Sequence, residues 1–207
     1  MFTLQGALLP DDAVLREAVD ALAIAEQFGD PLSLAAALLA RGTTLVHRDG
    51  PDSESGYDLL TQVRAMALAH RVPLLWVSIV DIHTAIRKAH RGDLDGAIEL
   101  GRAALNNLVA SGAMSFRGVA TTTLVESLLR RGAEGYIAEA QAVMEWLAAV
   151  PTDPGYVMHE LTLLRLRALL ARAHGDEGGC RDFRDRYRKM ATDLGFEGHM
   201  QWAEEMP

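Results

Sequence analysis

Seven histidines and one cysteine are the side chains of this 207-residue chain best suited to chemistry. His83 and His90 lie seven apart, with Asp81 and Arg87 nearby. On one helix, two turns would separate them by about 10 Å, too far to share a metal without a ligand from another element. Neither an HExxH nor a paired ExxH motif is present, so no metal and no cofactor are expected. His47, His70, His90 and His174 fall at expected helix ends, where a partial positive charge complements the dipole. Cys180 follows Gly178-Gly179 at a helix start, a place where a thiol can be acidified. No histidine stands near it in sequence to complete a nucleophile pair, and packing is its expected role. The run Gly175-Asp176-Glu177-Gly178-Gly179 is glycine-rich, but its carboxylates repel phosphate and no strand precedes it, so it reads as a turn. Arg181, Arg184, Arg186, Arg188 and Lys189 form the most basic stretch. Interleaved Asp182 and Asp185 make pairs such as Asp182–Arg186 and Asp185–Arg188, which predicts a solvated face. No convergent nucleophile or acid–base set emerges, and the expectation is a non-enzymatic protein.

These side chains must be held by helices. Apolar residues step by three and four along Val14, Ala18, Ala21, Leu22, Ala25, along Leu75, Ile79, Ile82, Ile86, Ala89, and along Leu161, Leu164, Ala168, Leu169. Asp30-Pro31 and Asp153-Pro154 each read as an N-cap followed by proline at the first helical position, with Asp12, Ser53 and Asp93 as further caps. Gly29, Gly50, Gly92, Gly112, Gly132, Gly175 and Gly195 stand where helices should stop. The predicted helices span about 12–28, 31–48, 53–70, 73–90, 94–110, 114–131, 134–148, 154–173, 177–193 and 197–205. Trp76, Trp146, Trp202, Tyr57, Tyr136 and Tyr156 sit near hairpin starts and ends, where packing accounts for them.

Composition narrows the class. With 20 Lys+Arg against 28 Asp+Glu, the net charge is −8, which argues against nucleic acid as a partner. One cysteine excludes a disulfide framework. An uncharged apolar stretch such as Val72 to Val80 is far short of a bilayer span, so no membrane partner is expected. The N-terminus, MFTLQGALLPDD, lacks the basic segment and long apolar run of a signal peptide, which points to the cytoplasm.

An internal repeat organises the chain. The turn glycines Gly50, Gly92, Gly132 and Gly175 recur about every 40 residues, one helical hairpin per period. The segments around them read HRDGPDSESGYDLLTQVRAMA, HRGDLDGAIELGRAAL, RRGAEGYIAEAQAVMEWL and AHGDEGGCRDFRDRYRKMA. In the clearest copy, Gly92 turns the chain, Asp93 caps the next helix, and Ala97 and Ala104 are small where helices cross. Gly92-Asp93-Leu94-Asp95-Gly96-Ala97-Ile98-Glu99, with Ala103-Ala104-Leu105, resembles the turn and second helix of a tetratricopeptide repeat. The period exceeds that family's ~34 residues. Over nearly the whole chain, phrases such as RGDLDGAIELGRAAL look like the helical C-terminal array of large bacterial LuxR-type or cyclase-linked signalling ATPases. No G-x-x-x-x-G-K-[ST] loop occurs in this chain, so it carries no nucleotide site of that kind.

The resemblance implies an all-α fold: a right-handed superhelical stack of antiparallel helical hairpins, about ten helices, forming a single domain over 1–207. It also implies a protein-interaction or ligand-sensing segment of a signalling or transcription regulator. First helices of such hairpins line a concave groove, which assigns His83, Arg87, Thr122 and Glu126 as contacts to a protein, a peptide or a small ligand there. The array opens on Asp12–Phe28, which reads as the second helix of a pair without its first. The chain is therefore expected to be the C-terminal part of a longer array, or to form a homodimer through Leu15 and Leu22 as a stand-alone adaptor.

Overall fold

The computed structural model describes residues 5–48, 51–69, 71–153 and 155–206. Among them are ten helices and no strand: α1 (Asp12–Phe28), α2 (Pro31–Val46), α3 (Pro51–Leu68), α4 (Leu75–His90), α5 (Leu94–Ala110), α6 (Arg117–Arg131), α7 (Glu134–Ala148), α8 (Val157–Ala173), α9 (Glu177–Leu194) and α10 (Glu197–Glu205). Each helix packs on the next, and α6 also touches α4 and α8. The hairpins are α2–α3, α4–α5, α6–α7 and α8–α9, with α1 and α10 packed on the two ends of that series.

Capping chemistry sets the starts. Asp30 Oδ2 accepts from Ser33 N at 2.7 Å, Asp93 Oδ1 from Gly96 N at 3.0 Å, and Asp176 Oδ1 from Gly179 N at 2.9 Å. Elsewhere the expected caps shift. Asp11, not Asp12, caps α1 by accepting from Val14 N. Ser53 lies inside α3, which begins at Pro51. Asp153 caps nothing, because α8 starts only after the turn at Gly155 (φ 86°). The starts of α4 and α6 are also later than the periodicity predicts, and neither has a side-chain cap. Gly29, Gly132 and Gly195 close their helices in the left-handed region, and Gly92, Gly112 and Gly175 make the same turn one residue later. Gly50, His70 and Pro154 lie outside the described residues.

The apolar faces merge into a core running from α1 to α8, built on Leu60, Ile79, Ile82, Ile98, Leu108, Leu124, Leu128 and Leu166. A second cluster, around Leu161, Tyr187 and Ala203, seats α9 and α10. Ala97 and Ala104 are fully buried, as expected of small residues at a crossing. Before α1, the chain crosses to the far end of the helix series. The Gly6 carbonyl accepts from His199 N on α10 at 3.0 Å, and Gln5 Nε2 donates to the Ser115 carbonyl at 3.0 Å. Strap and α10 meet too closely for side chains at either glycine: Trp202 occupies the space a Cβ on Gly6 would need, and a Cβ on Gly198 would stand 2.7 Å from the Gly6 carbonyl oxygen. Arg48 holds its other end, donating to the Pro10 carbonyl at 2.9 Å and to Asp12 at 2.7 Å.

Candidate functional site

The even-numbered helices converge on one cavity of about 280 Å³. His47 enters it from the end of α2, Ile86 and His90 from α4, Thr122 and Glu126 from α6, Arg165 from α8, and His199 and Trp202 from α10. Gln5 of the strap forms part of the same wall.

An ion pair crosses that wall. Arg165 Nη2 donates to Glu126 Oε1, and its guanidinium carbon lies 4.6 Å from the centre of the Trp202 ring. Arg165 Nε has no partner. Three threonines add polarity of one kind. Thr122, Thr123 and Thr162 each spend the hydroxyl proton on the carbonyl four residues earlier, at 3.0, 3.0 and 2.7 Å. Their free lone pairs can only accept.

Two of the lining histidines, His47 and His199, are held neutral. Burial, and then the neighbouring His90, push His47 down to about 4. Burial and the Arg165 charge lower His199 to about 4, with the Gln5 backbone pulling the other way. His199 Nδ1 lies 2.7 Å from the Tyr187 hydroxyl, while its Nε2 has no partner. The phenol itself is raised by burial. A neutral His47 cannot complement the α2 dipole as the sequence suggests; desolvation outweighs the helix end.

The four residues assigned to ligand contact separate into two groups. Thr122 and Glu126 line the cavity. His83 is 1% exposed and stands behind it, its ring edge-on to His47 at 5.3 Å; burial holds its pKa well below the usual value. Arg87 faces away, pairing with Glu54 of α3 and stacking 4.2 Å over Tyr57. Tyr57 donates to the His83 carbonyl at 3.3 Å, so both residues tie α3 to α4. Arg165, His199, Trp202 and the strap were missed. Nothing in local periodicity brings residue 5 beside residue 199, and an α8 arginine gives no signal of its own.

At the other end, Leu22 is 6% exposed and packs in the core, with Leu15 half-buried. The exposed apolar side chains there are Val19, Ile24, Phe28 (78%) and Leu32. Cys180 is buried. On α9, Arg186 pairs with Asp182 at 3.4 Å as expected, whereas Asp185 lies 3.5 Å from Arg184 rather than pairing with Arg188. Among the described residues no cluster of His, Cys, Asp and Glu could hold a metal ion, and no helix is long and apolar enough to cross a membrane.

Comparison with protein-family models, curated proteins and solved structures finds no match to this chain.

Proposed function

We propose that this chain is a non-enzymatic, ligand-sensing helical-repeat domain, the sensory segment of a cytoplasmic signalling or transcription regulator. The observation that supports the reading is the cavity shared by α2, α4, α6, α8, α10 and the strap. A molecule held there touches every hairpin at once, so its binding energy can bias how the hairpins sit against each other. The strap across one side favours a compact molecule over an extended peptide. The resemblance to arrays that follow nucleotide-binding switch modules supplies the larger setting, in which that bias is passed to an attached effector.

The test is a mixed set of small amines, acids and alcohols, screened by saturation-transfer NMR against the wild-type chain and against Thr122→Trp. Circular dichroism establishes that the variant is folded. Fragments that bind the wild type and are lost from the filled variant support sensing; equal binding to both, or to neither, contradicts it.

A second reading is favoured by one observation of its own. Ile24, Phe28 and Leu32 expose apolar surface beside a shallow groove between α1 and α2. In this reading the chain is an adaptor that self-associates through that end. Light scattering across a concentration series would show a dimer that Phe28→Glu and Ile24→Glu disrupt; a monomer throughout excludes it.

A further inference from the structure

We infer that the cavity takes a small organic cation, a primary ammonium group carried on a compact apolar body. The inference rests on the ligand-sensing reading and names the ligand class for that site.

The wall is dominated by acceptors. Thr122, Thr123 and Thr162 have spent their hydroxyl protons on their own helices. Glu126 uses one oxygen on Arg165, leaving Oε2 free, and Glu205 contributes a second carboxylate. Gln5 has committed its amide nitrogen to Ser115, so its carbonyl oxygen remains to accept. Facing these, the cavity has one guanidinium, already paired with Glu126 and covered by the Trp202 ring. His47 and His199 are neutral, so neither adds positive charge. Glu126 and Arg165 offset each other, and Glu205 and His90 are exposed at the rim, where solvent screens them, so the acceptors set the polarity of the wall. Arg130 is exposed in an adjoining cleft, where solvent screens it.

An ammonium fits this inventory because it is a compact point charge with three donors and no acceptor. A carboxylate ligand would face two carboxylates and a set of lone pairs. The rest of the wall, Ile86, Val119 and Met158 with the Trp202 edge, gives the apolar body its contacts. Three polar atoms of lining residues sit without partners: His47 Nε2, His199 Nε2 and Arg165 Nε. The Arg165 N–H is a donor that an ammonium cannot meet and that water must reach, whereas a histidine Nε2 in its unprotonated tautomer is a further acceptor for the ligand.

The test uses three molecules of one shape: 4-phenylbutylamine, 4-phenylbutanol and 4-phenylbutyrate. Binding is read on the Trp202 indole N–H resonance, assigned with Trp202→Phe. The amine should bind about tenfold more tightly than the alcohol, the difference expected of a charged hydrogen bond over a neutral one. The acid should not bind, and added salt should weaken the amine. Thr122→Val, a mild change on the cavity wall, should weaken the amine several-fold and leave the alcohol nearly unchanged. Equal or tighter binding of the acid, or equal binding of all three, overturns the cation assignment while leaving a ligand site in place. No shift with any of the three also overturns it, and the mixed-fragment screen then decides separately whether the cavity senses anything.

Discussion

His47, His83 and His199 are held neutral by burial, so acid acts on them through the unfolded chain. The unfolded histidines protonate near 6.5, whereas folded His47 and His199 resist until about pH 4 and folded His83 is held well below its usual value. Between those values unfolding takes up about three protons, so stability is complete above pH 7 and falls as the pH drops through 6 to 4. Urea titrations at pH 7.5 and 5 would show a markedly lower midpoint at pH 5; an unchanged midpoint would mean that these rings reach water. Replacing Glu126 with Gln removes one member of the ion pair without changing shape. Glu126 is 37% exposed, so screening limits the loss to about 1 kcal/mol in urea unfolding at pH 7. At this scale the sequence was informative where chemistry is local. Thr122 and Glu126 could be placed together because they share one turn of a helix. Arg165 and His199 could not, since only tertiary contact brings α8 and α10 to α6.

Helix pairs are distinguished by how closely they cross. Gly56 in α3 sits so near α2 that a Cβ there would meet Val46 N at 2.8 Å. Gly56→Ala should therefore destabilise the fold by about 1–3 kcal/mol. Gly135, on α7, has nothing within 4 Å. Gly135→Ala should stabilise by about 0.5–1 kcal/mol through the unfolded chain and helix propensity. Thermal unfolding of the two variants checks both, and a matching sign would refute the difference in packing. The helices themselves were legible because Asp30, Asp93 and the turn glycines encode their boundaries within a few residues. Boundaries failed at α4, α6 and α8, which begin after irregular turns with Leu74, Phe116 and Tyr156 in the capping position; α7 and α10 also lack a side-chain cap, but Gly132 and Gly195 just before them mark their starts.

At the scale of the whole molecule, the strap is the least expected feature, because Gln5 and Gly6 reach partners more than a hundred residues away, Ser115 before α6 and His199 on α10. No periodic pattern encodes that contact; it depends on Gly6 fitting beneath the Trp202 ring with φ at 76°. Gly6→Val should detach the strap. Hydrogen exchange of the His199 amide, which loses its Gly6 acceptor, should then quicken by about tenfold or more, while the Leu124 amide in α6 keeps its protection. Unchanged exchange at His199 would show that the strap does not depend on this fit. Because one cavity is lined from every hairpin, a molecule that occupies it should affect them together. The most direct measurement is hydrogen–deuterium exchange of the chain alone and saturated with the tightest fragment from the mixed set. Added protection is expected in the last turn of α2, in α4, α6, α8 and α10, and in the strap. Protection confined to α1 and α2, or to a single hairpin, would contradict it.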